Sequence, residues 1–304
     1  MVRSRFISVC SALLSLLAAW PVDAAAPEWI LPPVSAPRVQ HHTFESAAAR
    51  TQVSCHVYTP AVYDTEPARR FPVLYWLHGT GGGAQGIAPL SAYLDRAMRD
   101  GKIPPALVVF PNGMATSMWC DSKDGAVPME TVVVKDLVAH IDTAFRTIAR
   151  REGRIIEGFS MGGYGAARLG LRHPDIFGAV SILAGGPLDL EFAGPRATAD
   201  AAEHDRILKE VYGGDMEFFK AQSPWMQAAQ NAERVMAQPT AIRIVVGRQD
   251  STGPLNRRLS DRFTALGIKH TFTVLPGVGH SAMPLLDALG GKNWEFYRAA
   301  FGSL

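Results

Sequence analysis

Near the middle of the chain, Gly158-Phe159-Ser160-Met161-Gly162 sets a serine between two glycines where the hydrophobic pattern changes. Arg154-Ile155-Ile156-Glu157 before it reads as a short strand, and residues 164–171 after it have helical spacing. Strand, G-x-S-x-G and helix in that order make a nucleophile elbow. The turn is so tight that the flanking side chains must be small, Ser160 Oγ is lifted above the sheet edge, and the N–H of Met161 is aimed at whatever the serine attacks. The competing reading is a glycine-rich β–α turn with an ordinary N-capping serine.

A serine hydroxyl attacks a carbonyl at neutral pH only when a base takes its proton and a third group orients that base. Of the nine histidines, His280 lies in a glycine-flanked loop, Pro276-Gly277-Val278-Gly279-His280, just after an expected last strand. His173 follows the elbow helix and is expected to point away, and His78 to have a structural role. Asp250 closes an expected strand at 242–246, whereas Asp261 falls inside an expected helix, so Asp250 is the better acid. Its competing reading is a cap for the following helix. The chain order Ser160, Asp250, His280 is that of α/β-hydrolases, not of chymotrypsin or subtilisin.

A second backbone donor is expected from His78-Gly79-Thr80-Gly81-Gly82-Gly83, which ends the apolar run 71–77. Glycines there let the backbone approach and turn an N–H toward a developing oxyanion. Gly81 to Gly86 also match G-x-G-x-x-G. A dinucleotide site would want an acid at the end of the next strand, and Asp100 precedes that strand, 106–110, instead.

The elements that must hold these residues alternate. Strands are expected at 41–44, 53–58, 71–77, 106–110, 154–157, 179–183, 242–246 and 270–275, with helices at 91–99, 130–149, 164–171, 255–266 and near the C-terminus. In 53–58, Val53, Cys55 and Val57 alternate with Ser54, His56 and Tyr58. The rhythm predicts an α/β fold, a mostly parallel central sheet with helices on both faces, with function at the carboxyl ends of the strands. Residues 185–240 break the rhythm and are either a lid-like insertion over the site or peripheral packing helices.

The chain has 304 residues, 47% hydrophobic and 19% charged, with 30 basic against 28 acidic side chains. That suits one large domain, 41–304, and gives no reason to invoke nucleic acid as a partner. Arg3 and Arg5 precede a mostly apolar run, 6–20, and small residues at Val22-Asp23-Ala24. This predicts an export signal peptide, 1–24, removed to leave no stable membrane anchor, and a periplasmic or secreted protein. An irregular arm, 25–40, is expected after it. Export leaves Cys55 and Cys120, which in an oxidising compartment either pair or stay as two thiols. No CxxC or HExxH spacing suggests a metal, and the chemistry calls for no cofactor.

At these residues the chain resembles the esterase family of α/β-hydrolases that includes esterase D-like S-formylglutathione hydrolases, feruloyl, acetylxylan and siderophore esterases, and mycolyltransferases. The resemblance covers residues 41–301. It rests on Phe71-Pro72-Val73-Leu74-Tyr75-Trp76-Leu77-His78-Gly79, on Gly158-Phe159-Ser160-Met161-Gly162-Gly163-Tyr164-Gly165-Ala166, and on His173-Pro174-Asp175-Ile176-Phe177. It implies Ser160 as nucleophile, His280 as base, Asp250 as acid, and Thr80 and Met161 as oxyanion donors through their backbone N–H groups. It also implies Trp119 as an aromatic lining the site. Gly79 and Trp225, the latter in the 185–240 segment, are further candidates for substrate contact. The expected activity is hydrolysis of a small-molecule or carbohydrate-linked carboxylic ester through an acyl-enzyme. Acyl transfer to a sugar or lipid alcohol, and a binding module on the same fold, are the alternatives.

Overall fold

The computed structural model describes residues 28–188 and 201–302. The expected signal peptide, and part of the 185–240 segment, lie outside the described residues. The elements run β1 (Val39–Ser46), β2 (Thr51–Tyr58), α1 (Val62–Thr65), β3 (Val73–Leu77), α2 (Ala84–Arg99), β4 (Leu107–Pro111) and α3 (Met129–Thr131). A π-helical stretch, Val132–Leu137, leads into α4 (Val138–Ala144), followed by β5 (Arg154–Phe159), α5 (Met161–Arg172) and β6 (Ala179–Leu183). From residue 201 come α6 (Ala201–Tyr212), α7 (Met216–Gln222), α8 (Pro224–Ala237), β7 (Ala241–Gly247), α9 (Gly253–Ala265), β8 (Thr271–Leu275), α10 (Ala282–Leu289) and α11 (Gly291–Phe301).

The strands form one eight-stranded sheet in the order β1-β2-β4-β3-β5-β6-β7-β8. The β1–β2 and β2–β4 pairs are antiparallel and all others parallel. The continuous apolar run of β3 is what burial on both faces requires. Val73, Tyr75 and Leu77 enter one core layer, and Leu74 and Trp76 the other. The first layer takes Ile141 from α4, Leu169 from α5, Val235 from α8 and Phe263 from α9. The second takes Leu94 from α2, Leu286 from α10 and Phe301 from α11. Each such side chain contributes about 1.5–3 kcal/mol on burial. The sheet is thereby a rigid platform whose parallel strands all end on one edge.

The structure changes one expectation of the fold, the end of the helix over 130–149, and adds three observations. The polar face of β2 is buried, because the arm lies on it. Ser54 N–H donates to Trp29 O (2.9 Å), and Leu31 N–H and Val34 N–H donate to Ser54 Oγ (2.8 Å) and His56 Nε2 (3.1 Å). The helix expected to reach Ala149 stops at Ala144, where the chain turns extended so that Thr147 can bridge to Phe71. Cys55 and Cys120 are both unpaired, each buried in the core around other partners. In the described part of the 185–240 segment, α8 is a crossover helix between β6 and β7, packed on α5 and α9.

Candidate active site

Ser160 sits where β5 gives way to α5, with φ 59° and ψ −118°, a left-handed conformation that L-residues adopt only when their surroundings hold them. What holds it is visible. Ser160 N–H donates to Leu183 O (3.0 Å), Ser160 O accepts from Tyr164 N–H (3.0 Å), and the helix approaches the β3 end without side chains in between. A Cβ on Gly162 would fall on the backbone of Leu77, and one on Gly158 on the backbone of Gly162. The two glycines of the motif are therefore required by close approach.

His280 follows β8 and reaches back to the serine. Its Nε2 lies 2.9 Å from Ser160 Oγ and its Nδ1 2.8 Å from Asp250 Oδ2. The ring of Phe159 packs against the imidazole, 4.6 Å between centroids. Asp250 follows β7 and is 4% exposed. Its Oδ1 accepts from both Thr252 N–H and Thr252 Oγ–H, each at 2.8 Å. Burial alone would raise the carboxyl pKa. The hydrogen bonds from His280 and Thr252 outweigh it and leave the group below its ordinary value, so it is a carboxylate at neutral pH. A carboxylate accepts only, so Nδ1 carries the imidazole proton and Nε2 presents its lone pair to the serine. One oxygen braces the loop before α9, whose N-cap position is held by Thr252 without a side-chain cap bond, and the other meets the histidine.

Gly79 lies against Ser160. A Cβ there would stand 3.3 Å from Ser160 Cβ and 3.8 Å from Oγ. Among the described residues, no backbone acceptor takes the N–H of Thr80, or of Met161, whose place at the start of α5 leaves it without a helical partner. Two N–H groups without a backbone acceptor, one next to Ser160 and one next to Gly79 in the chain, suit a developing oxyanion. Gly81 N–H is spent on Ala115 O (2.9 Å), so the G-x-G-x-x-G match is a loop brace rather than a phosphate cradle.

Trp119 does not line the site. It is 0% exposed, in a left-handed conformation (φ 52°), its ring pressed between Gly113 and Gly165, with a Cβ on Gly165 coming 2.6 Å from it. Its Nε1–H donates to His78 O (3.2 Å). A ring that close to two glycines is core, which an isolated Trp in a loop does not reveal from sequence. Trp225 is half-buried at the start of α8, under the guanidinium groups of Arg262 (5.1 Å) and Arg258 (5.9 Å) from α9. His173 bonds Glu130 (2.7 Å) in a buried group with Arg168, away from the serine, as expected.

Thr252 and Phe159 were missed. Thr252 had a signal, the Asp-x-Thr spacing of a turn in which an acid bonds the backbone two residues on. Phe159 had none beyond its place in the motif. Among the described residues no group of three or more His, Cys, Asp or Glu side chains is placed to hold a metal ion.

The pattern of the family described as "Putative esterase" matches residues 46–301. An "Endo-1,4-beta-xylanase/feruloyl esterase" from Xylanibacter ruminicola is 34% identical over 158 residues, 49% of this chain and 22% of that protein. "Esterase Rv1288" from Mycobacterium tuberculosis is 27% identical over 271 residues, 82% of this chain and 57% of that protein. The chain thus spans between about a fifth and three fifths of these relatives' lengths. Among solved structures, a ferulic acid esterase superposes with a TM-score of 0.66 at 22% identity, covering 88% of this chain and 96% of that one. That likeness shows the fold, an α/β-hydrolase fold.

Proposed function

The chain belongs to the esterase family whose pattern spans residues 46–301, and from that footing we propose that it hydrolyses carboxylic esters through Ser160, His280 and Asp250. The observation that carries the reading is the unbroken relay Ser160 Oγ, His280 Nε2, His280 Nδ1, Asp250 Oδ2, at 2.9 and 2.8 Å. His280 takes the Oγ proton as Ser160 attacks the ester carbonyl carbon. The carbonyl oxygen becomes an oxyanion held by the N–H groups of Thr80 and Met161, each contributing roughly 3 kcal/mol to the barrier reduction. As the tetrahedral intermediate collapses, the C–O bond to the alcohol breaks and His280 delivers its proton to that oxygen. Water then adds to the acyl-enzyme with His280 again as base, releasing the acid and restoring Ser160.

The relatives' names put feruloyl esters of carbohydrate first among substrates to try, ahead of acetylated sugars and long-chain esters. Residues 1–24 act as an export leader, a reading supported by Arg3 and Arg5 before the apolar run 6–20.

The test is a panel of aryl, feruloyl, acetyl-sugar and long-chain esters against the wild type and Ser160→Ala, with a fluorophosphonate probe mapped by peptide mass. Hydrolysis that vanishes with Ser160→Ala at unchanged Tm, and labelling at Ser160, are expected. Turnover retained in Ser160→Ala would overturn the assignment. Acylated sugar exceeding free acid when a sugar acceptor is added would mark an acyltransferase instead.

A further inference from the structure

The loop that supplies Thr80 N–H is poor in stiffness of its own. Four of the five residues from 79 to 83 are glycine, and Gly81 and Gly82 take φ 87° and 99°. A peptide unit between such residues rotates readily, and a rotation of the 79–80 unit would turn Thr80 N–H away from the serine. Three successive peptide units are nevertheless each held through one atom. Trp119 Nε1–H holds His78 O at 3.2 Å, the His78 ring reaches Gly79 O from Nδ1 at 2.7 Å, and Gly81 N–H holds Ala115 O at 2.9 Å.

The middle hold is the informative one. In a planar trans peptide the C=O and N–H point in opposite directions. Fixing Gly79 O therefore also fixes the direction of Thr80 N–H, the group assigned above to the oxyanion. The hold works only if Nδ1 carries the proton, and a second contact decides that. Gly113 N–H donates to His78 Nε2 at 3.0 Å, so Nε2 must be the acceptor. The ring itself has little freedom. It lies edge-on to Trp119, 5.0 Å between centroids, and a Cβ on Gly83 would come 2.5 Å from its Cδ2. Burial pushes its pKa down to about 4, against a smaller opposite effect of the Gly79 carbonyl, so the neutral form persists across the working pH range.

We propose that His78 is the positioning residue of the oxyanion site: its Nδ1–H sets the orientation of the 79–80 peptide, and Gly113 N–H sets the tautomer that lets it do so. This rests on the ester-hydrolase reading. It gives the second histidine of the strand-end region a role in the reaction without contact to substrate.

Two substitutions separate this role from mere packing, because each keeps one of the two contacts. In His78→Asn the amide nitrogen occupies the place of Nδ1 and still donates to Gly79 O, while Gly113 N–H loses its buried acceptor. In His78→Gln the amide oxygen reaches the place of Nε2 and still accepts from Gly113, while Gly79 O is released. Steady-state aryl-ester kinetics and thermal melts on the full protein are the readouts. We expect kcat of His78→Gln to fall tenfold to a hundredfold with KM within threefold, a partial version of losing one oxyanion donor. His78→Asn should keep kcat within threefold while showing the lower Tm of the two. If His78→Gln keeps its kcat, or if His78→Asn falls as far, the proposal is wrong. A failure of the hydrolase reading shows elsewhere, as a wild type without turnover or an active Ser160→Ala.

Discussion

Gly162→Ala tests whether the elbow is held by contact between α5 and the end of β3. A Cβ on Gly162 would stand 2.5 Å from the carbonyl carbon of Leu77 and 2.9 Å from the carbonyl oxygen of His78. Carbon atoms in ordinary contact stand about 3.5–4.0 Å apart and the Leu77 carbonyl oxygen is closer still, so one backbone or the other must yield by more than about an ångström. Both are fixed in the sheet, since Leu77 pairs with Gly158 and Gly158 in turn abuts Gly162. Overpacking of this kind costs about 1–3 kcal/mol, or roughly 2–6 °C in Tm for a domain of about 250 residues. The catalytic cost should be larger in proportion. The displaced atoms adjoin Ser160 and the 78–80 loop, and a misplacement of about 1 Å costs on the order of a hundredfold in rate. Melting temperature by calorimetry and kcat on an aryl ester, each for Gly162→Ala beside wild type, give the two numbers. A variant within a degree of wild type and within threefold in kcat would mean that the elbow tolerates a Cβ and that the close approach is not what selects glycine.

Three further outcomes follow from named contacts. Asp250→Asn keeps an oxygen for Thr252 but no longer enforces the Nδ1–H tautomer of His280. It should lower kcat by about 10⁴, by analogy with chymotrypsin-type enzymes, with little change in Tm, and a fall of less than tenfold in steady-state assays would move the acid role elsewhere. Acid should destabilise the protein through buried neutral histidine. His78 falls from 6.5 to about 4 on burial, so between those values the unfolded chain binds the extra proton, and the stability present above pH 6.5, roughly 3 kcal/mol, is lost as pH falls toward 4. Below about 4.5 Glu130 adds to the loss with the same sign. Burial would raise its pKa, but His173, Arg168 and Arg172 hold it down at about 2. Denaturant melts from pH 7 to 5 should show a shallower slope for His78→Asn than for wild type, and equal slopes would refute the assignment. Burial pushes the thiols of Cys55 and Cys120 up to about 12 and 11, so neither should react with a thiol reagent in the folded state. Both should react after denaturation without reductant, and a mass lacking both adducts would show that they pair.

The proposed triad was legible because each member follows a strand in the parallel part of one sheet. β5, β7 and β8 deliver Ser160, Asp250 and His280 to a single edge, and the hydrophobic runs that announce those strands also announce where their ends must meet. The burial of β2 on its polar face was not legible. It depends on a Pro-rich arm laid across Ser54 and His56 by hydrogen bonds to both, and no periodicity records what a neighbouring irregular segment will cover. The end of the helix at Ala144 escaped for a related reason. Val133, Leu137, Ile141 and Phe145 keep helical spacing and are all buried, yet a bridge from Thr147 to Phe71 draws the chain into the sheet margin first. Trp119 was misplaced because an aromatic in a loop is equally suited to a substrate wall and to a core. Only the proximity of Gly113 and Gly165 decides it.

Residues 112–121 carry what remained hidden, and their arrangement explains why. Three non-glycine residues there, Met114, Met118 and Trp119, have φ between 52° and 54°, a conformation that costs an L-residue energy and persists only under external restraint. The restraints come from far along the chain. Arg168 of α5, itself buried against Glu130, donates to Trp119 O (3.2 Å), and Asn112 donates to Glu28 O (2.8 Å) in the arm while accepting Met114 N–H (3.0 Å). The loop so held contacts His78 three ways, through Gly113 N–H, the Trp119 indole N–H and the Trp119 ring, and Ala115 O takes Gly81 N–H. Two of the strained places in the described residues bear on the site: Ser160, the proposed nucleophile, and, one layer back, the loop that holds His78. The first is written in a five-residue motif. The second is distributed over residues 28, 112–119, 130 and 168, none of which is a proposed reacting group, and such support from outside is what the proposed role of a glycine-rich strand end as a fixed partner for an oxyanion requires.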